Sequence, residues 1–327
     1  MNAEKKHVLV FRPLPDDLLA RIQAQHHVVV ADPRRPEQLT LFRTALGRAQ
    51  GLIGSSVKLG AAELALAPAV EVISSISVGV DNYDLALLRH RGITLCHTPG
   101  VLTETTADTI FGLIMCTLRR LPELSQYVRA GEWTRNIGED LFGWDVHGKT
   151  LGILGFGRIG QAVARRAALG FGMPVLYHDP FGIRVPELEG RATHAALDDV
   201  LASADIVVAT LPLSDETVGL MDARAFALMR PGSFFINGSR GAIVQEAALL
   251  DALDSGHLRA AGLDVFATEP LPQDSRLRTH PKVTPFPHIG SATHETRRAM
   301  AELATENLLR ALAGDLPVAA FDLSTSR

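Results

Sequence analysis

The sequence predicts an α/β protein built on parallel sheets, and three observations carry that prediction. Short apolar runs of strand length alternate with segments of helical periodicity through the first hundred residues. The same alternation begins again at Thr150, after a polar stretch from Pro122 to Lys149. With 327 residues, 46% apolar and 21% charged, the chain has the composition of a globular protein and length for about two domains. Strands and helices alternating in this way imply parallel pairing with helices on both faces.

In order, Val8–Phe11 reads as a strand and Pro15–Gln25 as a helix with Leu18, Leu19 and Ile22 on one face. Val28–Val30 is a strand, Leu39–Leu46 a helix, and Gly51–Gly54, Val70–Ile76 and Ile93–Cys96 are further strands. A long helix follows, because Ala107, Ile110, Phe111, Ile114, Met115 and Leu118 recur at the spacing of one helical face. Thr105 with Asp108 is a candidate capping box for it. The stretch from Pro122 to Lys149 reads as a linker or surface excursion between domains. Then come candidate strands Leu151–Leu154, Val175–Tyr177, Ile206–Ala209, Ser233–Ile236 and Ala260–Val265. Met300, Leu303, Ala304 and Leu308 mark a final amphipathic helix.

Composition excludes several classes of function. A net charge of −4, from 32 basic and 36 acidic side chains, gives no basic footprint for nucleic acid. Two cysteines, Cys96 and Cys116, sit in apolar surroundings and make no disulfide framework. The longest apolar stretch, Ile110–Leu118, is too short for a bilayer, and the first residues lack the pattern of a signal peptide. The histidines lack metal-ligand spacing, so no metal is expected. A cytoplasmic protein with neither nucleic acid nor membrane as partner is expected.

Gly155-Phe156-Gly157-Arg158-Ile159-Gly160 is a Gly-x-Gly-x-x-Gly sequence, weak evidence by itself. Its context is specific: strand Leu151–Leu154 precedes it, a helical face of Ile159, Val163, Ala164, Ala167 and Ala168 follows, and the next strand ends at Asp179. This is the order of a dinucleotide site. Gly155 permits the tight turn, Gly157 admits the pyrophosphate and Gly160 lets the helix pack on the sheet. The helix N-terminus offers unpaired N–H groups to the phosphates, and Arg158 adds charge. Asp179 accepts from the adenosine ribose and repels a 2′-phosphate. Pro180-Phe181-Gly182-Ile183 offers no cation before Arg184, so NAD(H) is preferred, with NADP(H) left open.

Three polar residues follow apolar runs in the second half: Arg240, Glu269 and His288. In an open α/β sheet the ligand crevice lies outside the carboxyl ends of the strands, where all three can meet. A histidine suits proton transfer at a carbinol oxygen near neutral pH. A carboxylate beside it orients the ring and favours imidazolium. A guanidinium holds a carboxylate or polarises a carbonyl. Taken singly, each has a plainer reading: a surface ion pair, a helix-start acid, one of 12 histidines.

Together with the glycine loop, Ser239-Arg240-Gly241, Leu263-Asp264-Val265 through Glu269-Pro270, and Pro287-His288-Ile289-Gly290 resemble the D-isomer-specific 2-hydroxyacid dehydrogenase family over nearly the whole chain. Leu14–Leu18, Ile76–Asn82, Thr103–Thr105 and Gly290–Arg297 resemble its glyoxylate/hydroxypyruvate reductase B branch, also called 2-ketogluconate reductases. The resemblance implies two Rossmann-like or flavodoxin-like parallel-sheet lobes with a cleft between them. Residues 1–100 with 290–327 would bind substrate, and 101–289 would bind NAD.

By the same resemblance His288 is the acid/base, Glu269 its partner and Arg240 the substrate-binding arginine. The amides around Val78 and Gly79 would cradle the substrate carboxylate. Asp264 would hold the nicotinamide carboxamide, and Thr106 and the Gly238-Ser239 turn would lie at that cofactor. Leu211 and Pro212 would line its adenosine side. The implied reaction is NAD(P)H-dependent reduction of glyoxylate, hydroxypyruvate or 2-keto-D-gluconate to the D-2-hydroxy acid, in a homodimer joined through the Thr105 helix and Trp133–Trp144. Branch members with basic residues after the second strand favour NADPH; Asp179-Pro180-Phe181 departs from that pattern. Two other readings share this fold: an NADH-sensing corepressor, for which the expected extra tails are absent, and a dehydrogenase for another substrate such as phosphoglycerate, formate or phosphite.

Overall fold

The computed structural model describes residues 4–324 and divides into two compact units. One comprises the residues up to Leu102 and those from Ala292 onward; the other is Thr103–Ser291.

The first unit holds five parallel strands: β1 (His7–Val10), β2 (His27–Val30), β3 (Gly51–Gly54), β4 (Val72–Ser75) and β5 (Thr94–Cys96), in the order β2-β1-β3-β4-β5. Strands β3 and β4 are buried along their whole length, while β2, at the edge, is only partly covered. Continuous apolar runs are what strands covered on both faces require. Helix His294–Ala313 packs on this sheet although it is far away in sequence. A Cβ on Gly51 would lie 2.9 Å from a Leu312 methyl, and Ser74 Oγ donates to Ala304 O at 2.7 Å. Thr293 caps that helix, accepting from Thr296 N at 3.2 Å.

The second unit holds seven parallel strands: β6 (Leu151–Leu154), β7 (Val175–His178), β8 (Ala192–His194), β9 (Ile206–Ala209), β10 (Ser233–Asn237), β11 (Leu258–Leu263) and β12 (Val283–Pro285). Their order is β12-β11-β10-β9-β6-β7-β8. The chain runs outward from β6 to β8, then returns to β9 on the other side of β6. That reversal makes β6/β9 the topological switch point, where α/β sheets bind ligands. One face is covered by helices Thr103–Leu118 and Arg158–Arg165, the other by Leu197–Ser203, Ala223–Leu228 and Glu246–Asp254. Ile110, Leu113, Ile114 and Leu118 are buried in the first layer, each contributing about 1.5–3 kcal/mol.

Several elements differ from the sequence reading. Strands β8 and β12 are additional: each is three residues long, lies at a sheet edge and carries polar residues or proline. The long helix begins at Thr103, so Thr105 lies inside its first turn and makes no capping box with Asp108. Asp108 instead pairs with Arg166 at 2.6 Å. The stretch from Pro122 belongs to the second unit and opens with a helix, Leu121–Arg129, none of whose residues is buried. Trp144 is partly buried against Phe234 of its own unit, with the Arg259 guanidinium 4.9 Å above its ring. Both cysteines are free thiols, and burial pushes Cys96 up to about 12. Among the described residues no helix is long and apolar enough to cross a membrane.

Candidate active site

The glycine loop follows β6 directly. Gly155 has φ +91°, and a Cβ there would lie 3.0 Å from the Leu211 backbone. Gly160 approaches the same turn so closely that a Cβ would fall 2.2 Å from Gly155 O. Thr210 Oγ1 completes the contact, donating to Gly155 O at 2.6 Å. Gly157 differs: it is exposed, and a Cβ would meet nothing within 4 Å. It stands at the N-cap of helix Arg158–Arg165 and supplies no side-chain cap. The first-turn N–H groups of Arg158, Ile159 and Gly160 meet no protein acceptor among the described residues, and there Arg158 is exposed and Ile159 half-buried. The two close-packed glycines and the open one suit a dinucleotide's pyrophosphate, so the residues present fit the cofactor that the motif implies.

Asp179 follows β7 and is only 7% exposed. Its Oδ2 accepts from Phe156 N at 3.0 Å and its Oδ1 from Phe181 N at 2.9 Å. The carboxylate thus ties the glycine loop to the end of β7, and each oxygen keeps a further lone pair. Leu211 packs at Gly155, whereas Pro212 is exposed and its carbonyl accepts from Thr217 Oγ1 at 2.7 Å.

At the other side of the sheet, the loop after β10 is organised by Asn237, a residue the sequence gave no role. Asn237 is buried; its Oδ1 accepts from Ser239 N at 3.0 Å and Ser239 Oγ at 2.7 Å, and its Nδ2 donates to Arg240 O at 3.0 Å. A buried amide at a strand end is the signal that marks such a residue. Gly238 turns past Ile110, leaving no room for a Cβ. Arg240 Nη1 donates to Ser239 O at 2.9 Å.

Glu269 and His288 come together: His288 Nδ1 lies 2.7 Å from Glu269 Oε2, while Glu269 Oε1 accepts from Phe266 N at 3.0 Å. Burial raises the Glu269 carboxyl, but the His288 hydrogen bond, the Phe266 N–H and the charges of His288 and Arg240 carry it below its ordinary value. The carboxylate therefore stays ionised beside the ring, fixing Nδ1 as the bonded nitrogen and leaving Nε2 for other chemistry.

His288 has φ +55°, a conformation few non-glycine residues adopt. The following backbone is pinned by Asp264, just after β11: Ile289 N donates to Oδ1 at 2.8 Å and Gly290 N to Oδ2 at 2.9 Å. Asp264 is 3% exposed. Burial, with Glu269 nearby, raises its carboxyl despite the two N–H bonds and the His288 charge that oppose this. Thr106, also buried, lies against Gly290.

Arg240, Glu269, His288, Asp264, Gly238, Ser239, Asp179 and the glycine loop thus all lie at the carboxyl ends of the second sheet. Val78 and Gly79 belong to the first unit, in the loop after β4. Their amides donate to no protein acceptor among the described residues.

Residues 111–290 match the family model described as "D-isomer specific 2-hydroxyacid dehydrogenase, NAD binding domain". The chain is 49% identical over 312 residues to the glyoxylate/hydroxypyruvate reductase B of Cronobacter sakazakii, covering 95% of this chain and 96% of that protein. It is 48% identical to the protein of that name from Klebsiella pneumoniae, over 95% and 97% of the two chains. Among solved structures, the NADPH-dependent glyoxylate/hydroxypyruvate reductase of Sinorhizobium meliloti, in complex with NADP and malonate, superimposes with a TM-score of 0.87. It is 31% identical over 99% of each chain. With the dinucleotide loop, the His288–Glu269 pair and these relatives in agreement, this chain belongs to the D-isomer specific 2-hydroxyacid dehydrogenase family and is an NAD(P)-dependent oxidoreductase.

Proposed function

We propose that the protein reduces small 2-keto acids, with glyoxylate, hydroxypyruvate and 2-keto-D-gluconate as the substrate class, to D-2-hydroxy acids. The observation that carries this reading is the 2.7 Å His288–Glu269 pair at the sheet end that also bears Arg240. The bound nicotinamide supplies the hydride. His288, as imidazolium held through Nδ1, gives the Nε2 proton to the oxygen that becomes the alcohol. Glu269 orients the ring and offsets its charge. Arg240 is assigned to the substrate carboxylate and to polarising the carbonyl, and the amides of Val78 and Gly79, which meet no protein acceptor among the described residues, are assigned to a substrate carboxylate as its cradle. Fixed donors of this kind need no reorganisation as charge develops.

For the cofactor we assign Gly155, Gly157, Arg158, Ile159 and Gly160 to the pyrophosphate, and Leu211 and Pro212 to the adenosine side. Thr106, Gly238, Ser239 and Asp264 serve the nicotinamide end, Asp264 through its remaining lone pairs. Asp179 takes the ribose hydroxyls and disfavours a 2′-phosphate, so NADH is the better reductant. Thr103–Ser291 is then the cofactor domain and the other unit the substrate domain. Trp133, Ile137 and Phe142 are each more than half exposed. Such apolar exposure along one excursion supports self-association into a homodimer through that segment.

The test is NADH and NADPH consumption with glyoxylate, hydroxypyruvate, 2-keto-D-gluconate and pyruvate. Fastest turnover with NADH and a hydroxylated keto acid is expected. Absence of turnover with any of them, while NADH binds, overturns the reading; faster turnover with NADPH overturns the cofactor assignment alone.

A further inference from the structure

Two adjacent peptide groups in the first unit are held from behind. Ser77 O accepts from Thr98 N at 2.9 Å, and Val78 O lies 3.2 Å from His97 Nδ1. A carbonyl only accepts, so Nδ1 carries the proton and donates. In a trans peptide the N–H points opposite to the C=O. The Val78 and Gly79 N–H groups therefore both point away from the His97–Thr98 segment, and neither meets a protein acceptor among the described residues.

His97 is itself anchored on three sides. Its N–H donates to Ala319 O at 3.2 Å, its carbonyl accepts from Asn307 Nδ2 at 3.1 Å, and its ring stands edge-on to Phe321 at 5.3 Å. Of the two restraints on the loop, the one from Thr98 is backbone to backbone and survives any substitution. The one from His97 depends on a side chain.

We propose that His97 is a positioning residue for the substrate carboxylate: by holding Val78 O it aims the Gly79 N–H alongside that of Val78 as a two-donor cradle. The proposal rests on reading those two amides as the carboxylate's cradle. Without the Nδ1–H bond the Val78–Gly79 peptide is free to rotate, and one of two convergent donors is lost.

The test compares His97→Leu, which keeps packing bulk against Phe321, with His97→Asn, whose amide nitrogen sits where Nδ1 does. His97→Leu is expected to raise the keto-acid KM about tenfold, the worth of about one hydrogen bond, with kcat and NADH affinity unchanged. His97→Asn is expected to stay near wild type. An unchanged KM in His97→Leu, or equal impairment of both variants, overturns the proposal. A second measurement follows the Val78 and Gly79 amide resonances of the NADH-bound enzyme as oxalate is added. If neither moves in the wild type, the cradle itself is wrong. If both move and oxalate binds His97→Leu as tightly as wild type, the cradle stands and the role of His97 falls.

Discussion

Gly241 and Phe266 are in backbone contact: a Cβ on Gly241 would fall 1.8 Å from the Phe266 carbonyl carbon. This approach joins the loop that carries Arg240 to the loop that carries Glu269, because Phe266 N is also the donor to Glu269 Oε1. Gly241→Ala must therefore push the two loops apart. Backbone has little freedom to yield, so a loss of about 3 kcal/mol or more is expected, with turnover falling at least as steeply as stability. Thermal unfolding and steady-state kinetics on the variant check this; wild-type turnover would show that the two loops are not coupled.

The glycine loop separates packing from binding. Gly160→Ala places a methyl 2.2 Å from Gly155 O and is expected to destabilise the protein measurably. Gly157→Ala meets open space at an ordinary φ of −70°. Its melting temperature should stay close to wild type while the NADH Kd rises about tenfold or more, as the methyl occupies the approach to the phosphates. Calorimetric titration with NADH, beside a melt of each variant, distinguishes the two effects.

Asp179 braces the glycine loop and is proposed to select the cofactor, so its removal has two expected signatures. Asp179→Ala leaves the Phe156 and Phe181 N–H groups without their acceptor, a loss of about 1–3 kcal/mol. It also removes the charge that would face a 2′-phosphate, so the ratio of NADPH to NADH affinity should rise. Discrimination as sharp as in the wild type would show that Asp179 is a brace and not a cofactor selector.

The His288–Glu269 pair predicts both kinetics and acid stability. His288→Ala should cut turnover by orders of magnitude while NADH still binds. Glu269→Gln keeps an acceptor for Nδ1–H but removes the charge, so a loss of about a hundredfold in keto-acid reduction is expected. Burial pushes Glu269 up, but the His288 bond, the Phe266 N–H and the charges of His288 and Arg240 together outweigh it and hold the carboxyl below its ordinary value in the folded protein. A depressed carboxylate contributes stability that is complete above the unfolded value of about 4.3 and is lost as pH falls through the folded one. Melting curves of wild type and Glu269→Gln should thus differ by a constant amount from pH 7 to about pH 5 and converge only in stronger acid.

Asp264 accepts from two successive amides that follow His288. Asp264→Asn offers one acceptor to two donors and turns an NH2 toward the other. One N–H is left unsatisfied in a buried place, which costs about 1–3 kcal/mol. The left-handed His288 backbone loses part of what holds it. Slower turnover with faster amide exchange at Ile289 and Gly290 is the expected result, and unchanged exchange would exclude this route.

Much of this protein follows from its sequence alone. Inner strands such as β6 and β9 read directly, because burial on both faces demands unbroken apolar runs. The dinucleotide loop also reads directly, since each glycine answers a local demand of turn, approach or packing. Arg240, Glu269 and His288 were visible as strand-end polar residues, but singly each had an ordinary explanation. Edge strands β8 and β12 are not legible in the sequence, because three partly covered residues paired on one side carry little periodic signal.

Other features were decided only by contacts between residues distant in sequence. Helix His294–Ala313 belongs to the first sheet because Leu308 and Leu312 fill the space over Gly51. The hydrogen bonds of Asn237 and His97 are set by the carbonyls and amides they meet after folding. Asp264 holds the backbone of Ile289 and Gly290 because the end of β11 meets the loop that follows β12. Local composition fixes which residues form strands and turns; which hydrogen bonds a buried polar group makes depends on what the fold brings within 3 Å of it.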